Sequence, residues 1–379
     1  MTEWLWQRFV TPVWIGFLLN LAFESSRLFI PLLTRDLGGT VMDVGLVGAA
    51  NGLAYFVAAF VFGRQADLFG RLRFIRIGLA FSALAFLSQL LARDVNSLLV
   101  ARTVVGFAMG ITTGALVVYA YENHGGVGKF SSFGALGLIA GSLASAVLKE
   151  YHLLFALSFL SCAAAFLLSL HLQEYNKLQM PPAPRFLSVI WRNRAVYWPF
   201  FLRQLGASAI WIIFPLFLRE LGADKSWIAV VVTTNYAGQA VLMALVERFT
   251  GRGMFRLGLF LSGIVFLLYT VAAGFLQVIP MQALLSLAWS MLYIEASVLL
   301  LRSGEEKGTA AGIMVGTTNL CMAAGPFMGG FLSSLWGYHA PMFAAAALSF
   351  AGLLWAPKNV RGPASGVQRP ASDVRRPTS

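Results

Sequence analysis

Gly63-Arg-Gln-Ala-Asp67-Leu-Phe-Gly70-Arg71-Leu-Arg73 is a short polar connection between two long apolar runs, residues 43–63 and 75–92. Gly63 leaves room for a close helix approach. Asp67 can accept hydrogen bonds from a helix N-terminus or from a nearby Arg. Gly70 permits a tight turn, and Arg71 and Arg73 suit an anionic membrane surface. A turn this short between runs this apolar predicts two antiparallel helices crossing a bilayer.

The rest of the chain agrees with that reading. Of its 379 residues, 58% are hydrophobic and 12% charged, and the mean hydropathy is +0.73. Soluble domains run near ~45–50% apolar and ~25% charged, so a water-soluble enzyme, a disordered chain and a coiled coil are excluded. The net charge is +12. The basic residues sit mostly in short connections, which points to an anionic leaflet and not to nucleic acid. Cys162 and Cys321 lie in apolar runs with no neighbour at metal-ligand spacing, so no metal is expected. The first apolar run is too long and too polar for a signal-peptide core, and it reads as an uncleaved span.

Runs long enough to cross the hydrocarbon occur twelve times: 10–33, 43–63, 75–92, 97–120, 130–148, 152–171, 196–218, 226–247, 255–275, 278–301, 309–333 and 338–356. All should be helices, because backbone facing lipid must satisfy its own hydrogen bonds. With the N-terminus inside, 20 of the 28 Lys and Arg fall in inside connections and tails, and 5 fall outside. Both termini are therefore expected in the cytoplasm, across a plasma (inner) membrane.

The connection 172–195 is longer than the others and carries Met180-Pro-Pro-Ala-Pro184. It divides the chain into an N-terminal six-helix bundle, 1–171, and a C-terminal one, 196–357. Residues 358–379 are rich in Pro, Ser, Gly and Arg and read as a disordered cytoplasmic tail. An internal repeat supports the division. Ile30-Pro31-Leu32-Leu33-Thr34-Arg35-Asp36-Leu37-Gly38 returns 184 positions later as Phe214-Pro215-Leu216-Phe217-Leu218-Arg219-Glu220-Leu221-Gly222. The same offset relates Asn51 to Asn235 and Gly141 to Gly325. Asp67-Leu68-Phe69 matches Glu247-Arg248-Phe249, and Arg76-Ile77-Gly78-Leu79 matches Arg256-Leu257-Gly258-Leu259, at an offset of 180.

Three motifs carry a family resemblance. The 63–73 connection resembles the loop signature of the major facilitator superfamily, in which this element latches the inner side. The second-half copy keeps Glu247, Phe249 and Arg252 but lacks the glycine before the acid. Arg102-Thr-Val-Val-Gly106-Phe-Ala-Met-Gly110-Ile-Thr-Thr-Gly114 is similar to the family's span-four signature, and the resemblance links Arg102 to proton handling. Gly325-Pro326-Phe-Met-Gly329-Gly330 is similar to an element that drug:proton antiporters carry in span five. Span five itself reads Gly137-Leu-Ile-Ala-Gly141-Ser142-Leu-Ala-Ser145, with Ser142 in place of the proline. Packing of small residues between helices explains these glycines equally well. The resemblance implies an all-α membrane fold of twelve helices in two pseudo-symmetric bundles.

Five charges lie at membrane depth: Glu24 and Arg27 in span one, Arg102 in span four, Arg203 in span seven and Glu295 in span ten. Such charges default to a functional reading, and the resemblance places these four spans around the cavity. At ~1.5 Å per residue, Glu24, Arg27 and Arg102 fall in the outer half, and Arg203 and Glu295 in the inner half. Arg102 is expected to reach Glu24, and Arg203 to pair with Glu295. Glu24, Arg102 and Glu295 are the candidates for proton coupling, with Glu24 preferred. A static pair that only fixes helix packing is the competing reading. Asn20, Arg27, Arg203, Asn51, Asn235, Trp211 and Tyr293 are candidates for the cavity wall.

These observations favour a secondary transporter working by alternating access: a monomer in the lipid bilayer, exporting small drug-like organic molecules in exchange for protons. No cofactor is expected beyond the proton as coupling ion, and no catalysis, since no phosphate-binding loop and no catalytic set is present. Two alternatives stand: a transporter of an organic anion, because the five buried charges sum to +1, and a receptor or assembly protein that has kept the fold without transport.

Overall fold

The computed structural model describes residues 11–124, 127–173, 186–246, 253–304 and 307–357. The tail 358–379, residues 174–185 of the expected linker, Glu247, Phe249 and Arg252, and the Asp67 side chain lie outside the described residues. Among those described, every regular element is helical: one 3-10 turn, Gln89–Leu91, and a series of α-helices. The α-helices are α1 (Thr11–Arg27), α2 (Ile30–Asp36), α3 (Val41–Phe69), α4 (Arg71–Ser88), α5 (Val95–His124), α6 (Val127–Leu148), α7 (Tyr151–Ser169), α8 (Phe186–Arg192), α9 (Arg194–Glu220), α10 (Lys225–Val246), α11 (Met254–Thr270), α12 (Phe275–Arg302), α13 (Lys307–Trp336) and α14 (His339–Trp355).

With α1 and α2 taken as one interrupted span and α8 set aside, these are the twelve expected spans. The interruption follows from Pro31, which has no N–H to continue the ladder and sits at the start of α2. By length and apolarity alone, seven stretches among the described residues suffice to cross a membrane. Three more, including α11 and α14, are apolar but shorter.

Burial runs opposite to that of a soluble protein. Leu354, Val147 and Phe60 are 81%, 78% and 76% exposed, while Glu24, Arg102, Arg203 and Glu295 are buried. Large apolar side chains facing outward around buried ions are what a multi-pass membrane protein requires.

Helices α1–α7 pack in one bundle, with α3 on α5, α1 on α6 and α7, and α4 on α5 and α7. Helices α9–α14 repeat the scheme, with α9 on α13 and α14, and α11 on α12 and α14. The two-fold relation extends to single residues. Asn51 donates to the Arg102 carbonyl (2.7 Å) and Asn235 to the Gln282 carbonyl (3.3 Å). Arg76 donates to the carbonyls of Ser169, Leu170 and Leu172 at the end of α7, and Arg256 to those of Leu353 and Ala356 at the end of α14. Gly38 and Gly222 share the left-handed backbone (φ 83° and 88°) that ends the two matched segments.

The bundles meet along α3 with α13 and along α6 with α10. Their cross-links cluster at the face opposite the termini. Asp36 pairs with Arg219 (3.4 Å) and Lys149 with Asp224 (3.7 Å). Lys225 donates to the Lys149 carbonyl (2.8 Å) and lies over the Tyr151 ring (3.8 Å). Ser142 donates to the Ala229 carbonyl (3.0 Å) and accepts from Thr233 (2.9 Å). At this face Gly45 and Gly330 meet backbone to backbone: a Cβ on Gly330 would lie 2.6 Å from the Gly45 Cα. Nearer the termini, Gly312 and Gly316 look onto open space.

Gly70 (φ 98°) joins α3 to α4 as the turn requires. Gly63 corrects the expectation of a close helix approach, because a Cβ there would meet nothing within 4 Å. Among the described residues no hydrogen bond or ion pair joins the bundles at that end. Arg73 is exposed, and Arg71 opens α4.

Candidate functional site

Between the bundles lies a cavity of about 360 Å³, at the small end of the range for sites that bury a drug-sized ligand. Of the residues named from the sequence, Arg27, Asn51, Arg203, Trp211 and Asn235 line it, and so does Arg102, named there for proton coupling. Gln204, Ser208, Tyr236, Gln239, Trp289, Met322 and Pro326 line it as well.

Two expected wall residues lie elsewhere. Asn20 donates to the Gly16 carbonyl (2.8 Å) and faces the small residues Gly134 and Gly137 of α6, so its side chain is spent on helix packing. Tyr293 packs behind Trp289, with ring centroids 5.3 Å apart. Glu24 and Glu295 are 0% and 1% exposed, and neither touches the cavity.

The expected ion pairs are corrected too. Glu24 does not meet Arg102. Its Oε2 accepts from Arg27, Nη2 at 2.7 Å and Nε at 3.2 Å, because three residues of separation place both on one helix face. Glu24 Oε1 is buried with no hydrogen-bond partner. Arg27 Nη2 also donates to the Tyr236 hydroxyl of α10 (2.8 Å), which links the bundles at the cavity. Arg102 Nη1 donates to Ser26 (2.7 Å) and Gln89 (3.1 Å).

Arg203 does not meet Glu295. Its Nε donates to Ser262 (3.1 Å) and its Nη1 to Gln204 (3.1 Å). Its guanidinium lies 4.8 Å from the Trp289 ring centroid and 5.5 Å from that of Phe266. The aromatic faces hold the cation where an acid was expected.

The glycines of the packing motifs sit at helix crossings. Gly106 and Gly110 face the α3 backbone at Asn51 and Tyr55, Gly137 and Gly141 face α1 at Phe17 and Leu21, and Gly325 and Gly329 face α9 at Ser208 and Ala209. Pro326 and Gly330 instead form the contact with the other bundle. Gln89, Gln204 and Ser262 were not singled out from the sequence. Each is a neutral polar residue inside an apolar run, a weak signal by itself. Gln282 stood to be found, since it occupies the repeat position of Arg102.

The family model described as Major Facilitator Superfamily matches residues 13–203 and 196–378. Multidrug resistance protein MdtG of Enterobacter lignolyticus is 28% identical over 192 residues, 48% of this chain and 46% of that protein. The MdtG of Salmonella arizonae is 29% identical over 174 residues, 43% of each. The chain thus spans about half the length of the curated relatives it matches. Among solved structures, the nucleoside transporter NupG has a TM-score of 0.76 at 15% identity, covering 91% of this chain and 98% of that one. The human organic anion transporter MFSD10 has a TM-score of 0.67 at 19% identity, covering 92% and 98%. The twelve-span fold, the repeat and the family match over both halves make this chain a member of the major facilitator superfamily.

Proposed function

We propose that this protein is a secondary transporter that exports small organic molecules by alternating access, in exchange for protons. Both termini then lie in the cytoplasm of a bacterial-type inner membrane, and the conformation described, sealed at the face opposite the termini, is the inward-facing one. The multidrug resistance proteins among its relatives support export of drug-like compounds. The cavity forms within one chain, so a monomer suffices, and no cofactor enters the scheme.

The observation that carries the coupling is the Glu24–Arg27–Tyr236 chain. Glu24 is fully buried, one carboxyl oxygen takes two bonds from Arg27 and the other takes none. A buried oxygen without a donor is a place where a proton can reside. Protonation of Glu24 weakens its hold on Arg27, and Arg27 is the group that reaches across to α10. Proton occupancy thereby acts on the contact between bundles.

The test is transport into proteoliposomes with and without a pH gradient, with internal pH read by a trapped dye. Glu24→Gln is expected to keep downhill transport and lose gradient-driven accumulation. Accumulation equal to the parent's removes Glu24 from the coupling.

A further inference from the structure

We propose that the cavity takes an organic anion with a flat apolar body, its acid group held by Arg203 and attracted by Arg102. The inference rests on the transport reading above and adds the charge and shape of the cargo.

It begins with the charge inventory of the wall. Three guanidiniums line the cavity, and among the described residues no carboxylate does. Arg27 is neutralised by Glu24. Arg102 and Arg203 are 2% and 3% exposed and, among the described residues, hold only neutral partners. Two desolvated cations without a counter-ion are costly at membrane depth. A cationic ligand raises that cost, a neutral one leaves it standing, and an anion relieves it.

Donor geometry points the same way. A guanidinium carries five N–H donors. Arg203 spends Nε and one donor of Nη1, and its Nη2 has no protein acceptor among the described residues. Arg102 uses Nη1 alone, which leaves Nε and Nη2 for a ligand. Ser262, Gln204 and the Trp289 face fix Arg203 in place, so little side-chain freedom remains to be lost on binding.

Shape supplies the second half. Trp211, Trp289 and Met322 bring large apolar surfaces to the wall. An inorganic anion leaves these surfaces uncovered, and a flat ring system covers them.

The test uses the full chain in nanodiscs and proteoliposomes with four probes: naphthoate, its neutral amide, naphthylmethylammonium, and acetate. Naphthoate is expected to bind about tenfold or more tighter than the amide, a charge-assisted gain. The ammonium compound and acetate are expected to give no thermal stabilisation at the same concentration. Arg203→Gln is expected to lose about tenfold in naphthoate affinity with a smaller loss for the amide, and Arg203→Lys to recover part of the loss. Where Arg203→Gln does not fold, the charge series on the unaltered chain decides.

Equal or better binding of the ammonium compound overturns the assignment, as does naphthoate affinity unchanged in a folded Arg203→Gln. Absence of naphthoate binding overturns it as well, and stabilisation by acetate equal to that by naphthoate overturns the flat-body part. Transport of the ammonium compound alone leaves the transporter reading standing and removes the anion. Naphthoate binding in the expected charge order, with no probe crossing the bilayer, does the reverse.

Discussion

At the scale of single residues, the cations at helix ends do distinct work. Arg76 gathers three carbonyls at the end of α7, and Arg256 two at the end of α14. A cation at a helix C-terminus answers both the unpaired carbonyls and the helix dipole. Arg76→Ala is expected to cost about 1–2 kcal/mol and Arg256→Ala about 1 kcal/mol, read as lowered thermal midpoints in the same detergent. Arg76→Met keeps the apolar stem and should lose as much as Arg76→Ala. The repeat made this pair visible in the sequence, but not its task. Buried charges were legible for a simple reason: an ion in an apolar run is conspicuous. Their partners were not. Which neighbour an arginine meets depends on helix rotation and tilt. Arg27, one turn from Glu24, took the carboxylate that Arg102 was expected to reach. Rings took the place of Glu295 beside Arg203.

At the scale of helices, span number and order were readable because hydrocarbon thickness sets a minimum length. The ends were less so. α3 runs to Phe69 and α13 to Trp336, beyond the apolar runs, because a helix continues into the interface wherever a turn residue does not stop it. α5 starts at such a stop. Ser97 donates its backbone N–H to Asp94 Oδ1 (2.8 Å), and the Asp94 N–H donates to Ser97 Oγ (3.1 Å). Hydrogen bonds from Ser97 hold the Asp94 carboxyl below its usual value. A lowered folded pKa means that the cap stabilises above the ordinary carboxylate value and is lost as pH falls through the lowered one. Asp94→Asn should therefore lower the thermal midpoint at neutral pH and show a flatter decline on acidification. The α3–α13 crossing gives a sharper prediction. Gly330→Leu places side-chain atoms where the Gly45 backbone lies. The seal then cannot close. A cysteine introduced at Trp211 should become several-fold more reactive from the face opposite the termini, and transport should stop. Transport at the parent's rate contradicts the role given to this crossing.

At the scale of the whole molecule, the polar links between the two bundles gather at one face, and among the described residues none lies toward the other. The ion pairs at the closed face are exposed, with Arg219 and Asp36 at 57% and 42%. Exposed pairs contribute under about 1 kcal/mol to stability, yet a small bias suffices to move a balanced equilibrium. Asp36→Asn combined with Asp224→Asn should leave the thermal midpoint nearly unchanged and lengthen the distance between spin labels at His152 and Glu220. High salt should do the same to the unaltered chain. Gly45 and Gly330 bear on how often such a molecule can cycle. Where two surfaces interlock through long side chains, each closure must freeze rotamers, at up to ~2 kcal/mol for a long chain. Bare backbone has no rotamers to freeze. Under the function proposed above, the halves can then part and rejoin with little friction, and the speed of turnover falls to the cargo and the proton.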